Sequence, residues 1–316
     1  MNRSQQILAA VLVMQLILAA FVFWPRAATG GVTPLFPDLA SEDVTTMVIT
    51  DDQGKSVELR QVSGEWVLPE ADDYPAKGDS IKSVLGKIAG LTSQRLVTRT
   101  EASHKRLQVA ADDFVRRVDL RTSGGVARTL YLGSSPSYGA SHVRAEGQNE
   151  TYLTNDLTQW DINAAPSSWV DVSYLSVSQD EVTRVTLRNT HGTLDLVKDE
   201  QGNWTLSDVV VGEQLDVGRI NSLISRATLV TMTRPLGREE LPEYGMDNPN
   251  AAVTIHKAEE TITLLVGAQD PSDSSYVVKA STSPYYVRVG SYNVTDMVQN
   301  TRQDLLQPPP TPTATE

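Results

Sequence analysis

Between residues 43 and 70 apolar and polar side chains alternate with a period of two. Met47 and Ile49, Val57 and Leu59, and Trp66 and Leu68 share one face, with Thr, Glu and Arg among the residues between them. Successive side chains of a strand point to opposite faces, so the pattern is that of three half-buried strands. Asp51-Asp52-Gln53-Gly54 and Ser63-Gly64 break it where hairpins must reverse, which makes the segment a meander. The period then changes: Ile81, Val84, Leu85, Ile88 and Leu91 follow the i, i+3, i+4, i+7 spacing of one helix face. Alternation resumes in four short runs, around Phe114 to Leu120, Val126 to Leu132, His142 to Ala145 and Thr151 to Thr154.

The whole pattern then recurs. Val44-Thr45-Thr46-Met47-Val48-Ile49 superposes on Val182-Thr183-Arg184-Val185-Thr186-Leu187 at an offset of 138 residues, which also pairs Gly54 with Gly192, Gly64 with Gly202 and Trp66 with Trp204. The helix face is matched by Ile220, Leu223, Ile224, Ala227 and Val230, and Thr129-Leu130-Tyr131-Leu132-Gly133 by Thr263-Leu264-Leu265-Val266-Gly267. Ordered matches of this kind predict two tandem homologous domains, residues 43–170 and 180–300. Short turns between consecutive strands favour antiparallel pairing, so each domain is expected to be a mainly antiparallel sheet with one covering amphipathic helix, an α+β fold. Trp66 and Trp204 are expected as core plugs. Trp160 and Trp169 lie where the repeat signal fades and are expected to contribute less.

Residues 1–30 read as an N-terminal transmembrane helix. From Ile7 to Trp24 eighteen residues include one polar side chain, Gln15, and a helix of that length spans about 27 Å, enough to cross a bilayer. Trp24, Pro25 and Arg26 close the run as an interfacial anchor would, and the short N-terminal flank favours an extracytoplasmic body. Residues 31–42 read as a linker and 301–316 as a disordered Pro/Thr-rich tail.

Composition narrows the function. The chain of 316 residues is 40% hydrophobic and 21% charged, as a globular body requires, and its net charge of −12 argues against nucleic acid as a partner. With no cysteine, thiolate nucleophiles and Cys-ligated metals are excluded. His104, His142, His191 and His256 lack metal-ligand spacing, and the acidic doublets Asp51-Asp52, Asp72-Asp73, Asp112-Asp113, Glu239-Glu240 and Glu259-Glu260 read as solvated turns and edges. The loop Asp270-Pro271-Ser272-Asp273-Ser274-Ser275 has oxygen ligands but not the spacing of a calcium loop. No catalytic residue, cofactor site or metal site is therefore assigned, and the chain reads as a non-enzyme.

The second copy contains Glu243-Tyr244-Gly245-Met246-Asp247-Asn248-Pro249 before a strand, then a strand ending in Val266-Gly267, then strands at Tyr276 and Tyr286. With the Gly-x-Trp element and the covering helix, this resembles the bacterial family known as domain of unknown function 4340. The resemblance implies an N-terminally anchored envelope protein of a kind often encoded beside ABC-type transporter genes, and brings no activity with it. In the first copy the matching stretch, Arg106-Leu107-Gln108-Val109-Ala110-Ala111-Asp112, lacks the Tyr, Gly and Pro. Tyr244, Gly245, Asp247 and Pro249 are accordingly the candidate interaction loop, with turn punctuation as the structural reading of the same residues. The expected function is a membrane-tethered extracytoplasmic accessory or scaffold protein with envelope or transporter proteins as partners. The alternative is a binding module for a cell-envelope glycan or small ligand, which needs exposed aromatics such as Tyr131, Tyr138, Tyr285 or Tyr292 along a groove.

Overall fold

The computed structural model describes Met14, Gln15 and residues 33–307. The expected anchor lies outside the described residues apart from Met14 and Gln15, as do residues 308–316 of the expected tail. Among the described residues no helix is long and apolar enough to cross a membrane.

The first repeat opens with the expected meander, β1 (Val44–Asp51), β2 (Ser56–Val62) and β3 (Glu65–Leu68), followed by the two-residue β4 (Tyr74–Pro75). Helix α1 (Gly78–Ala89) buries Ile81, Val84, Leu85 and Ile88, the stripe its periodicity dictates. A short strand β5 (Leu96–Thr98) and a one-turn helix α2 (His104–Leu107) lead into β6 (Arg116–Thr122), β7 (Ala127–Leu132), β8 (Ser141–Ala145) and β9 (Thr151–Thr154). The sheet is antiparallel, in the order β4-β3-β2-β1-β6-β7-β8-β9-β5.

The second repeat follows the same path. After β10 (Ser173–Ser176) come β11 (Val182–Asn189), β12 (Gly192–Lys198), β13 (Trp204–Leu206), helix α3 (Val217–Thr228), β14 (Leu229–Gly237), β15 (Ala251–Lys257), β16 (Thr261–Gln269), β17 (Tyr276–Ala280), β18 (Tyr286–Val289) and helix α4 (Ser291–Gln299). Its order, β10-β14-β18-β17-β16-β15-β11-β12-β13, repeats the first sheet read in reverse from β5 to β3, with β14 in the place of β5; β10 is added beyond it and β4 has no counterpart. The correspondence reaches single residues. The β1/β6 ladder slips between Val44 and Thr46, and β11/β15 between Val182 and Arg184. At each slip a threonine hydroxyl donates to the partner strand, Thr45 Oγ1 to Arg121 O at 3.3 Å and Thr183 Oγ1 to His256 O at 3.1 Å.

Four features depart from the sequence reading. The second repeat carries a second covering helix, α4, which buries Val294 and Met297 and packs against α3, β11 and β15. Val230 leaves the helix and is buried in β14, because α3 ends at Thr228. Leu35, Phe36 and Leu39 of the expected linker are buried on the first repeat, with Leu35 N donating to Leu91 O. Residues 301–307, expected in the tail, belong to the body: Leu305 is fully buried and Asp216 N donates to its carbonyl.

One apolar core runs through both repeats, bridged by Trp169, Val170, Tyr174 and Leu175 of the connecting segment. Trp169 is therefore not a minor contributor: only 2% exposed, it donates from Nε1 to Asn163 O at 2.7 Å. Polar contacts add to this seam. Asp72 and Asp73, read from sequence as a solvated doublet, are both left-handed (φ 53° and 58°), and Asp72 Oδ2 accepts from Arg238 N at 2.6 Å. Arg238 also lies over the Tyr285 ring and donates to its hydroxyl at 2.6 Å, while Tyr74 meets that ring edge-on.

Candidate functional site

The candidate loop around Tyr244 is first of all a piece of the fold. Tyr244 is buried with Met246, Val277 and Tyr286, and Gly245 takes a left-handed φ of 66°. The turn closes so tightly over the end of β16 that a Cβ on Gly267 would lie 2.1 Å from Tyr244 O. The first repeat does the same with different residues. A Cβ on Gly133 would lie 2.1 Å from Leu107 O, and Gln108 takes the left-handed place with φ 55°. Tyr244 and Gly245 thus have structural counterparts in Leu107 and Gln108, although neither side chain is retained. Asp247 is exposed and Pro249 half-buried, so only the far side of the run reaches the surface.

The four tyrosines expected along a groove separate into two pairs. Tyr131 and Tyr285 are buried. The Tyr131 ring lies beneath Arg144, and burial, with Glu146 beside it, pushes its phenol up to about 12. Tyr138 and Tyr292 are exposed, the latter with Arg226 over its ring. Two of the four histidines are structural: His104 Nε2 lies 3.0 Å from Asn149 O, and His142 Nδ1 lies 2.8 Å from Ser134 O. Among the described residues no three His, Asp or Glu side chains gather as a metal site. In the Asp270 loop the carboxylates serve the loop itself, with Asp270 accepting from Ser272 N and Oγ and pairing with Arg288.

Tyr138 and Trp160 meet at one groove of about 750 Å³ on the first repeat. Trp160, which the repeat pattern does not single out as a site residue, is 79% exposed, and Tyr138 is fully exposed. Buried Leu132 also lines the groove, together with Ser and Thr hydroxyls and the amide side chains of Gln108 and Gln159. No charged side chain lines it, although charged residues make up 21% of the chain.

Both aromatic residues stand on pinned turns. In the β7–β8 loop Ser135 Oγ donates to the carbonyls of Ser137 and Ala140, on either side of Tyr138 and Gly139. Around Trp160, Thr158 donates through N and Oγ1 to the Asp161 carboxylate at 2.8 and 2.7 Å, and Lys87 Nζ lies 2.5 Å from the same group. Burial alone would raise the Asp161 carboxyl, but Lys87 and Thr158 hold it below the usual carboxylate range.

The second repeat uses that turn again, Thr301 donating to Asp304 through N and Oγ1 at 2.9 and 2.7 Å. Leu305 is buried there as Ile162 is in the first repeat, but Gln303 stands where Trp160 does. The loop corresponding to that of Tyr138 is the acidic Asp270–Ser275 segment. The repeats share a scaffold, and the groove's aromatic, uncharged lining belongs to the first alone.

No curated protein and no solved structure matches the chain. Residues 66–227 and 211–308 each match the family described as Domain of unknown function (DUF4340), the two matches overlapping inside the second repeat. Together these matches take in the greater part of both sheets, and the chain belongs to the DUF4340 family.

Proposed function

We propose that the chain is a membrane-tethered extracytoplasmic accessory protein, a rigid two-repeat scaffold for partner proteins of a bacterial envelope complex, with an ABC-type transporter as the partner class suggested by the family resemblance. The observation that carries this reading is the apolar core that continues from one repeat into the other. A continuous core resists the relative motion that small polar interdomain contacts permit, so two versions of one surface are held at a fixed spacing. The eighteen-residue apolar run from Ile7 to Trp24 supplies the tether, and Trp24 with Arg26 its interfacial boundary.

The test is fractionation of cells making the full chain, followed by crosslinking and copurification in detergent. The tether reading expects the protein in the membrane fraction after an alkaline wash, released when residues 1–32 are removed. The scaffold reading expects a stoichiometric partner complex that survives solubilisation. A full-length chain found in the wash supernatant, or one that purifies alone after crosslinking, overturns the corresponding half.

A further inference from the structure

The groove carrying Tyr138 and Trp160 has a chemistry that the tether and scaffold reading does not use. We propose that it is a binding site for an uncharged oligosaccharide, recognised by stacking on these two rings and by hydrogen bonds to the neutral side chains between them. Three observations converge on this ligand class, and none depends on the chain being anchored.

The first is exposure. Trp and Tyr are large apolar bodies that proteins normally cover, yet Trp160 is 79% and Tyr138 fully exposed along the same groove. A pyranose ring presents a flat array of C–H bonds, slightly positive at hydrogen, to the negative face of an aromatic ring. The second is the absence of charge. In a chain of net charge −12, the groove carries no charged side chain: beside its rings and apolar residues, its polar lining residues are serines, Thr158 and the glutamines Gln108 and Gln159. An ionic ligand would lose its hydration there without gaining a counter-charge. Hydroxyls and carboxamides both donate and accept, as do sugar hydroxyls, whereas a Pro-rich peptide offers mainly carbonyl acceptors.

The third is preorganisation. The Tyr138 turn is held by Ser135, and the Trp160 turn by Thr158, Asp161 and Lys87, so the backbone beneath each ring is ordered before binding. The volume of about 750 Å³ is in the range of small-ligand sites. The second repeat keeps the Thr-x-x-Asp turn but places Gln303 there, so the tryptophan is not needed to build the turn.

Isothermal titration calorimetry of the full chain in detergent, with maltotetraose, cellotetraose and tetra-N-acetylchitotetraose as probes, tests the proposal. At least one is expected to bind with a dissociation constant below about 1 mM, and Tyr138→Ala and Trp160→Ala are each expected to weaken it by about tenfold. Trp160→Phe should retain part of the affinity, and all three variants should melt as the parent does, because both side chains are exposed. An oligogalacturonate of equal length should bind more weakly than the neutral probe. The proposal is overturned if none of the neutral probes gives heat at about 10 mM, or if affinity is unchanged in both alanine variants. It is also overturned if a peptide of residues 308–316 occupies the groove more tightly than every saccharide.

Discussion

Asp72 of the first repeat accepts a hydrogen bond from the backbone N–H of Arg238 in the second, at 2.6 Å and across 166 residues of chain. The geometry is demanding on both sides. Asp72 holds φ 53°, and a Cβ on Gly237 would lie 2.7 Å from its Oδ2, so the clasp closes only around a glycine. Asp72→Ala removes the acceptor and leaves an unsuitable residue in a left-handed conformation, for an expected loss of about 1–2 kcal/mol. Asp72→Asn keeps an acceptor and tolerates the conformation, and should lose less than half as much. Urea unfolding of the two variants checks this; equal losses would remove the clasp from the account of how the repeats are joined.

Gly133 and Gly267 provide a test of the duplication. In each repeat the glycine lies under a backbone carbonyl, Leu107 O or Tyr244 O, that a Cβ would approach to 2.1 Å. Neither carbonyl is the flexible end of a side chain, so the turn itself must move. Gly133→Ala and Gly267→Ala are each expected to cost about 3 kcal/mol, at the upper end for overpacking. Thermal melts in which one variant suffers and the other does not would show that the two turns are not equivalent.

The tryptophans separate by burial rather than by their place in the repeat. Trp66, Trp169 and Trp204 are all below 9% exposed, and replacing any of them by Ala should cost about 3–5 kcal/mol. Trp160→Ala should change stability by no more than about 0.5 kcal/mol. Denaturant midpoints for the four variants decide the matter, and a small loss at Trp169 would contradict its role in bridging the two cores.

Acid should weaken the hold on the second repeat's terminal segment. Glu213 accepts from Arg302 Nη1 and Nη2 at 2.7 and 2.6 Å and from Val210 N at 2.9 Å, and these donors, Arg302 first, hold its carboxyl at about 2. A carboxylate lowered on folding contributes stability that is fully present above its unfolded value, about 4.3, and is lost as pH falls through the folded value. The stability difference between the parent chain and Glu213→Gln should therefore be constant above about pH 5 and shrink toward pH 2. It should also diminish in high salt, because the pair is near solvent. A difference independent of pH would mean that the glutamate's charge plays no part.

The local elements and their duplication were legible without coordinates, because a period of two or of 3.6 records which face of a segment leaves water. Met47, Ile49, Val57 and Leu59 lie on the buried face, as do Ile81, Val84, Leu85 and Ile88, and the offset pairing Trp66 with Trp204 reappears as one strand order used twice. Periodicity reports burial but not against what. It could not show that β10 (Ser173–Ser176), from the connecting segment, would pair with β14, or that Trp169 would join two cores. Nor could it separate buried Tyr131 from exposed Tyr138, since each is an aromatic residue near a strand end. The groove is the clearest case. Gln108, Tyr138 and Trp160 come from three separate connections, and only the folded sheet brings them to one groove. Sequence determined which segments could form strands and helices, through local burial. Tertiary structure decided which loops met, because that depends on contacts between residues whose separation leaves no periodic trace.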